Sequence, residues 1–325
     1  MKLNTSYLGL QLKNPLIVGS SSLTDSVEKI QKLEAAGAAA VVLKSLFEEQ
    51  ILHEAHSLQN AGDYYPEAAD YLHSYVQGHS VQKYLQLIED AKGTVSIPII
   101  ASVNCMSATG WIDFAKKMEM AGADALEVNM YFIPTNKDRQ PIVYEEIYFE
   151  IAAALKQILK IPFSFKLGNH FTSLPNLVDH LYNRGTKGVV LFNRFYEPDI
   201  DIKTLGLKSA SVYSTSADLR NSLRWISIVS SIVENIEISA STGIHDASGV
   251  IKTILAGAQT TQLCSAIYNN GPDLIQSIIS DLEKWMEEHH FDSIEGFRGK
   301  SNYRNIDNPQ QYERSQFMKY FSSHI

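Results

Sequence analysis

The chain has 325 residues, of which 45% are hydrophobic and 20% charged, with a formal net charge of −8. This make-up supports a sizeable buried core and argues against intrinsic disorder, and the acidic balance argues against nucleic acid or an anionic membrane as principal partner. Cys105 and Cys264 lie far apart with no CxxC spacing, so neither a disulfide framework nor a cysteine-based metal site is expected, and a reducing cytoplasm fits.

The N-terminus opens on an expected short hairpin, Tyr7-Leu-Gly-Leu-Gln-Leu12, with no charged-then-apolar leader, and no apolar stretch is long enough to span a bilayer. Short apolar runs then alternate with longer amphipathic ones. Strands are expected at residues 15–18, 40–43, 98–103, 125–129, 162–166, 188–192, 236–239 and 260–263, most of them preceded by a turn signal such as Ala-Gly-Ala or Ile-Pro. Helices are expected at 26–36, 110–120, 144–159, 174–183, 221–233, 247–255 and 272–289, with Asp25, Ser107 and Asp246 as candidate caps.

Eight strands, each but the second followed by an expected helix, imply a (β/α)8 TIM barrel, read as one domain over residues 1–325. The rival, a doubly wound open sheet, would carry a glycine-rich turn after its first strand, whereas Gly19-Ser-Ser-Ser22 lacks GxGxxG. Two connections, 47–80 and 194–217, are too long for simple barrel loops and are expected over the active-site mouth. The first contains Asp63-Tyr-Tyr-Pro-Glu67 and reads as a lid or a dimer contact. The tail 291–325 is expected to pack across the barrel exterior.

The chemistry-bearing residues fall where strands meet loops. Lys44 closes Ala40-Val-Val-Leu-Lys44 and Lys166 closes Pro162-Phe-Ser-Phe-Lys166. Side chains at the carboxyl ends of barrel strands face the active site, so these ammonium groups point to an anionic, phosphate-bearing cofactor. Ser239-Ala-Ser241-Thr242-Gly243 after the seventh strand, and Leu263-Cys264-Ser265-Ala266 after the eighth, match the loops that cradle a phosphate in many barrels. Asn104, Asn129, Asn136 and Asn193 lie at or just beyond strand ends, and amides suit the edge of a flavin or a cyclic imide. A lysine can stabilise negative charge on a flavin or form a Schiff base with a carbonyl, so an oxidoreductase and an aldolase or lyase using Lys166 both remain open. His53 and His56, with Glu49 and Glu54, lack HExxH spacing, and no metal site is expected. His170 is either a cofactor neighbour or a solvated loop residue, and the two cysteines read as small core residues.

These residues resemble the FMN-dependent dihydroorotate dehydrogenases, the soluble class 1 branch most. The resemblance rests on Leu12-Lys-Asn-Pro-Leu16, Lys44-Ser45, Ser102-Val-Asn104 and Ala121-Gly-Ala-Asp-Ala-Leu-Glu-Val-Asn129. It continues through Lys166-Leu-Gly-Asn169, Phe192-Asn193, the Ser-Thr-Gly-Ile turn at 241–244, Ala256-Gly-Ala and Gln262-Leu-Cys-Ser-Ala266. It implies FMN across the barrel top, with Lys166 at its N1 and O2 edge, Lys44 near the substrate face, and hydride passing between a substrate carbon and flavin N5. The implied cofactor contacts are Gly19, Ser20 and Ser21 in the first loop, Lys44 and Ser45 in the second, and Asn104, Asn129 and Asn193 at the rim. Ser241, Thr242 and Gly243 join them after the seventh strand, and Cys264, Ser265 and Ala266 after the eighth.

Asn129, Asn136 and Asn193 would hold a dihydropyrimidine; Arg194, directly after Asn193, reads either as a cation for a substrate carboxylate or as a solvated arginine. The family reads Asn-x-Ser-Cys/Ser-Pro-Asn where this chain has Asn129-Met-Tyr-Phe-Ile-Pro-Thr-Asn136, so the usual base is missing and Tyr131 or Thr135 stands in for it. The Asn-Ser-x-Gly-Leu-x-Asn segment expected after the second strand is also replaced. The implied function is oxidation of dihydroorotate in pyrimidine biosynthesis, or action on another cyclic or unsaturated substrate. A homodimer is implied as well, with a soluble oxidant or an electron-carrying protein as acceptor.

Overall fold

The computed structural model describes residues 2–48, 69–107 and 111–314, with backbone only for 69–80. In chain order its strands are β1 (Thr5–Tyr7), β2 (Leu10–Leu12), β3 (Leu16–Val18), β4 (Ala40–Val42), β5 (Leu46–Phe47), β6 (Ile99–Cys105) and β7 (Ala125–Met130). There follow β8 (Phe163–Leu167), β9 (Gly188–Leu191), β10 (Pro198–Asp201), β11 (Gly206–Ser209), β12 (Glu237–Ser241) and β13 (Thr260–Leu263). The eight expected runs are β3, β4, β6, β7, β8, β9, β12 and β13. Nearly every residue in them is buried, as strands covered on both faces require. They pair in parallel in the circular order β4-β3-β13-β12-β9-β8-β7-β6, and β6 pairs with β4 to close the ring. The expected (β/α)8 barrel is therefore the observed fold, and the open-sheet rival is excluded.

Helices follow the strands at Val27–Ala35, Ala69–Thr94, Ile112–Met120, Pro141–Ile158, Leu174–Asn183, Leu219–Ile232, Ala247–Ala256 and Leu274–Glu288. Ala-Gly-Ala is the recurring device that turns a helix back into a strand. At the third occurrence Gly257, at φ +118, donates to the Ile254 carbonyl, and Ala258 donates to Thr253 before β13 begins. Asp246 caps its helix as expected, accepting from Gly249 N at 2.8 Å. The other two caps differ. Ser26 occupies the N-cap before Val27, while Asp25 pairs with Lys29 at 2.7 Å. The helix at 112–120 starts from Trp111, and the Ser107 hydroxyl turns to Glu48.

The connection after β4 is not all loop. Helix Ala69–Thr94 occupies its second half and runs beyond it, with Val81, Tyr84, Ile88 and Ala91 buried at helical spacing. That seam is present in the sequence. The middle of the lid or dimer candidate 47–80, residues 49–68 with His53, His56, Glu49, Glu54 and the 63–67 motif, lies outside the described residues. The connection after β9 builds an antiparallel hairpin, β10–β11, with Ile200 opposite Leu207. The tail crosses the exterior to residue 314, donating from Gly299 to Ile254 and from Ser301 to Leu255. Among the described residues no helix is long and apolar enough to cross a membrane.

Two cores result. One lies between strands and helices; the other fills the lower barrel, where Ile17, Ala40, Val42, Ile100 and Ala125 meet Tyr7, Leu8 and Leu12 of the β1–β2 hairpin. That hairpin turns at Leu8 (φ 55) and Gly9 (φ 74), the two positive values of a type I′ turn, and plugs the amino-terminal end of the barrel. Above the plug the inward positions become polar, because side chains alternate and the register is shared. Ile100, Ser102 and Asn104 climb β6 beside Ala125, Glu127 and Asn129 on β7.

The buried phenols of Tyr7, Tyr84 and Tyr148 are all pushed above the ordinary value of 10.0 by burial. The unfolded chain therefore releases these protons first, and the stability they contribute is complete below pH 10 and lost as pH rises past it. Urea unfolding across pH 8 to 11.5 checks this: the midpoint is expected to hold below about pH 9.5 and to fall above it.

Candidate active site

Strand register brings the polar side chains to one level. Asn104 on β6 lies opposite Asn129 on β7, and Asn129 lies opposite Lys166 on β8. From across the barrel, β13 contributes Gln262. Its Nε2 donates to Glu127 Oε2 at 2.6 Å, and its Oε1 accepts from Lys166 Nζ at 3.2 Å. Glu127 Oε1 stands 3.8 Å from the lysine nitrogen, and both groups are buried. Interior charges require partners, and here an amide stands between them.

Above Lys166 and Gln262 opens a cavity of about 420 Å³, within the range of small-molecule sites. Ser20 and Ser21 border it after β3, Asn193 and Arg194 after β9, Ser241, Thr242 and Gly243 after β12, and Cys264 and Ser265 after β13. Cys264 is thus a cavity residue and not a core one; Cys105 is buried in the core as expected. The 194–217 insertion forms one wall through Phe195, Tyr196, Val212, Tyr213 and Ser214. It lies over the mouth as its length suggested.

The loop after β12 is held in an unusual backbone. Thr242 has φ +73 and Gly243 φ +82, and a positive φ at a β-branched residue is rare and costs on the order of 1–3 kcal/mol. The Thr242 hydroxyl offsets this by donating to the Phe192 carbonyl at 3.0 Å. A Cβ on Gly243 would stand 2.2 Å from the Leu219 nitrogen. Ser214 then ties the cradle together: its hydroxyl accepts from Gly243 N at 3.3 Å and lies 3.1 Å from His245 Nε2, and its own N–H donates to Ser265 Oγ at 3.1 Å. Sequence reading missed Ser214, His245, Gln262, Glu127 and Phe195. Gln262 and Glu127 fall at strand positions that alternate inward with named neighbours, so their signal was present.

The other expected site residues divide. Asn193 Nδ2 donates to Asn129 Oδ1 at 2.8 Å, joining two amides directly beside Lys166. Ser20 and Ser45 are linked at 3.0 Å, and Ser45 continues to Ser102 at 2.8 Å. Gly19 stands against Gln262, and Ala266 is buried behind the cavity wall. Lys44 is exposed and does not line the cavity. Thr135 and Asn136 are exposed, and Asn136 Oδ1 closes a local turn on Asp138 N at 2.9 Å. Arg194 is committed to the insertion. Its guanidinium donates to the Ser211 carbonyl at 2.8 Å and the Val212 carbonyl at 3.1 Å, and pairs with Glu197 and Asp218 at 3.4 and 3.5 Å.

Tyr131 stacks on Phe195 with centroids 3.7 Å apart, and His170 meets both rings edge-on. This aromatic group sits over Gly168, where a Cβ would come within 2.9 Å of each stacked ring. Burial pushes the Tyr131 phenol above 10.0, which makes it a poor base near neutrality.

A closed parallel barrel with a buried lysine, paired amides and a glycine-bearing cradle at the carboxyl ends of its strands defines a barrel enzyme with its site at the usual face. A family model described as Dihydroorotate dehydrogenase matches residues 2–286. The chain belongs to that family and is an oxidoreductase. It is similar to the protein named dihydroorotate dehydrogenase B (NAD(+)), catalytic subunit, of Thermoplasma acidophilum, with 25% identity over 91% of this chain and 98% of the relative. The protein of the same name from Methanocaldococcus jannaschii is 22% identical over 89% and 94%. The chloroplastic dihydropyrimidine dehydrogenase (NADP(+)) of Arabidopsis thaliana is 22% identical over 92% of this chain and 76% of the relative.

Gly243→Ala should destabilise the protein by about 2–4 kcal/mol, combining the positive φ with overpacking against Leu219. Thermal unfolding of this variant beside Gly249→Ala, whose added Cβ would come no nearer than 3.2 Å to its closest neighbour, Ile244, checks the size of the effect.

Proposed function

We propose that the cavity seats FMN and that the chain carries out redox chemistry on a carbon–carbon bond of a dihydropyrimidine-type ring, dihydroorotate being the first candidate. The observation that carries this reading is the placement of Lys166. It faces the cavity from β8 and shares its level with Asn129, while the Ser241–Gly243 loop and Ser265 border the same space. The donor set fits the cofactor: hydroxyls and loop N–H groups suit a phosphate, and a cation with paired amides suits the pyrimidine edge of the ring system. When bound, FMN would supply the two-electron acceptor that no side chain provides.

Lys166 would hold the negative charge that gathers at that edge, at a distance fixed by Gln262. Asn129 and Asn193, already bonded to each other, would orient a ring bearing imide groups. Ser214 would keep the insertion down on the cradle and exclude water from it. The acceptor would be a soluble oxidant or an electron-carrying protein, and a homodimer would use the exposed Ile200, Ile202, Leu205 and Leu207 of the β10–β11 hairpin. Family membership sets aside the Schiff-base aldolase.

Phe195, which lines the cavity and is backed by the ring of Tyr131, favours a second reading of the substrate. With Thr135 and Asn136 facing solvent and a stacked phenol in place of a thiol or hydroxyl, the site suits a flat unsaturated ring whose reaction needs no base from this loop.

Purified protein is expected to take up one equivalent of FMN, and anaerobic bleaching by a panel of dihydropyrimidines that includes dihydroorotate would select the substrate. A protein that remains colourless with excess FMN defeats the assignment. Lys166→Ala should slow flavin reduction by about 10²-fold or more, and by exposing Glu127 to an empty site should also lower stability by about 3–5 kcal/mol.

Tyr131→Phe tests the base directly. Its stacking survives, so the rate of flavin reduction should fall by less than about tenfold, whereas loss of a working base costs about 10²–10⁴-fold.

A further inference from the structure

We infer that Gln262 and Glu127 are positioning residues that set how much of the Lys166 charge reaches the cavity. The inference rests on the FMN reading and deepens it. All three side chains are buried, at 3%, 1% and 7% exposure for Gln262, Glu127 and Lys166. Lys166 and Gln262 line the cavity and Glu127 stands behind them. A direct lysine–carboxylate hydrogen bond closes to roughly 2.7–2.9 Å, but here the nearest approach is 3.8 Å. The amide accounts for the gap, since it takes one carboxylate oxygen with its N–H and one lysine N–H with its carbonyl.

The geometry leaves Glu127 Oε1 buried with no hydrogen-bond partner among the described residues. An unpartnered carboxylate oxygen costs free energy, so a purely structural arrangement would let the lysine close on it. Gly19 leaves room for the amide: an added Cβ there would crowd Gln262 Oε1 at 3.3 Å, and the Gly19 N–H is bonded to the carbonyl of Leu263, the next residue on β13. The lysine thus keeps part of its field for the cavity above. In a low-dielectric interior, a shift of about 1 Å between unit charges alters that field strongly.

Opposite responses are expected from two near-isosteric changes. Glu127→Gln removes the counter-charge while keeping an amide for Gln262 to meet, so the midpoint potential of FMN in the reconstituted protein should move positive, with reduced FMN held roughly tenfold tighter relative to oxidised FMN. Gln262→Met removes the spacer and lets Lys166 close on Glu127, so the potential should move negative. Potentiometric titration with indicator dyes, with circular dichroism as a check on folding, reads both.

Variants that fold and bind FMN but keep the parent potential, or move in the same direction, overturn the inference. Should Glu127→Gln not fold, Gln262→Met decides alone by the sign of its shift. Failure of the unaltered protein to bind FMN is a separate result and overturns the cofactor reading.

Discussion

Everything at the mouth of this barrel depends on one contact that crosses it. β7 and β13 stand on opposite sides of the eight-strand ring, and the Gln262 amide reaches Glu127 through the centre while also receiving a hydrogen bond from Lys166 on β8. The packed interior of a closed parallel barrel solvates a charge poorly, so an ammonium and a carboxylate are carried there as a linked set. The hairpin plug makes that possible by sealing the lower barrel with Tyr7, Leu8 and Leu12, which confines the polar side chains to the upper layers.

Around this centre the loops are held by contacts between distant segments. Thr242 and Gly243 adopt positive φ because the Phe192 carbonyl and the start of the helix at Leu219 leave them no other arrangement. Arg194 clasps the returning limb of the insertion, and Tyr213 stacks on Tyr268, whose hydroxyl meets Ser22. The insertion is thereby joined to the loops after β3, β9, β12 and β13 together. Arg194, which sequence alone offers as a substrate cation, borders the cavity and also clamps the insertion.

The loop after β7 departs most from the family pattern. Where a thiol or hydroxyl would be expected, the longer loop after β7 supplies a phenol stacked on Phe195 and flanked by His170. Gly168 is the small residue that admits the pair. Phe195 thereby gives the cavity an aromatic face, backed by Tyr131, and an aromatic face offers dispersion in place of proton transfer.

The eight strands, most helices and the hairpin were legible from the sequence, because burial on two faces and helical spacing are local patterns that survive without knowledge of neighbours. So were Lys166, Asn129, Asn193 and the Ser241–Gly243 turn, since position at a strand's carboxyl end is itself a local property. The helix at 69–94 was partly legible through the helical spacing of Val81, Tyr84, Ile88 and Ala91. Only the tertiary structure decided that Gln262 and Glu127 meet across the ring, that Ser214 reaches Gly243 and Ser265, and that Lys44, Thr135 and Asn136 face solvent. Those outcomes depend on barrel closure and on a loop folding back over distant strands, and contacts of that kind are set by the summed packing of the chain, which no short stretch of residues encodes.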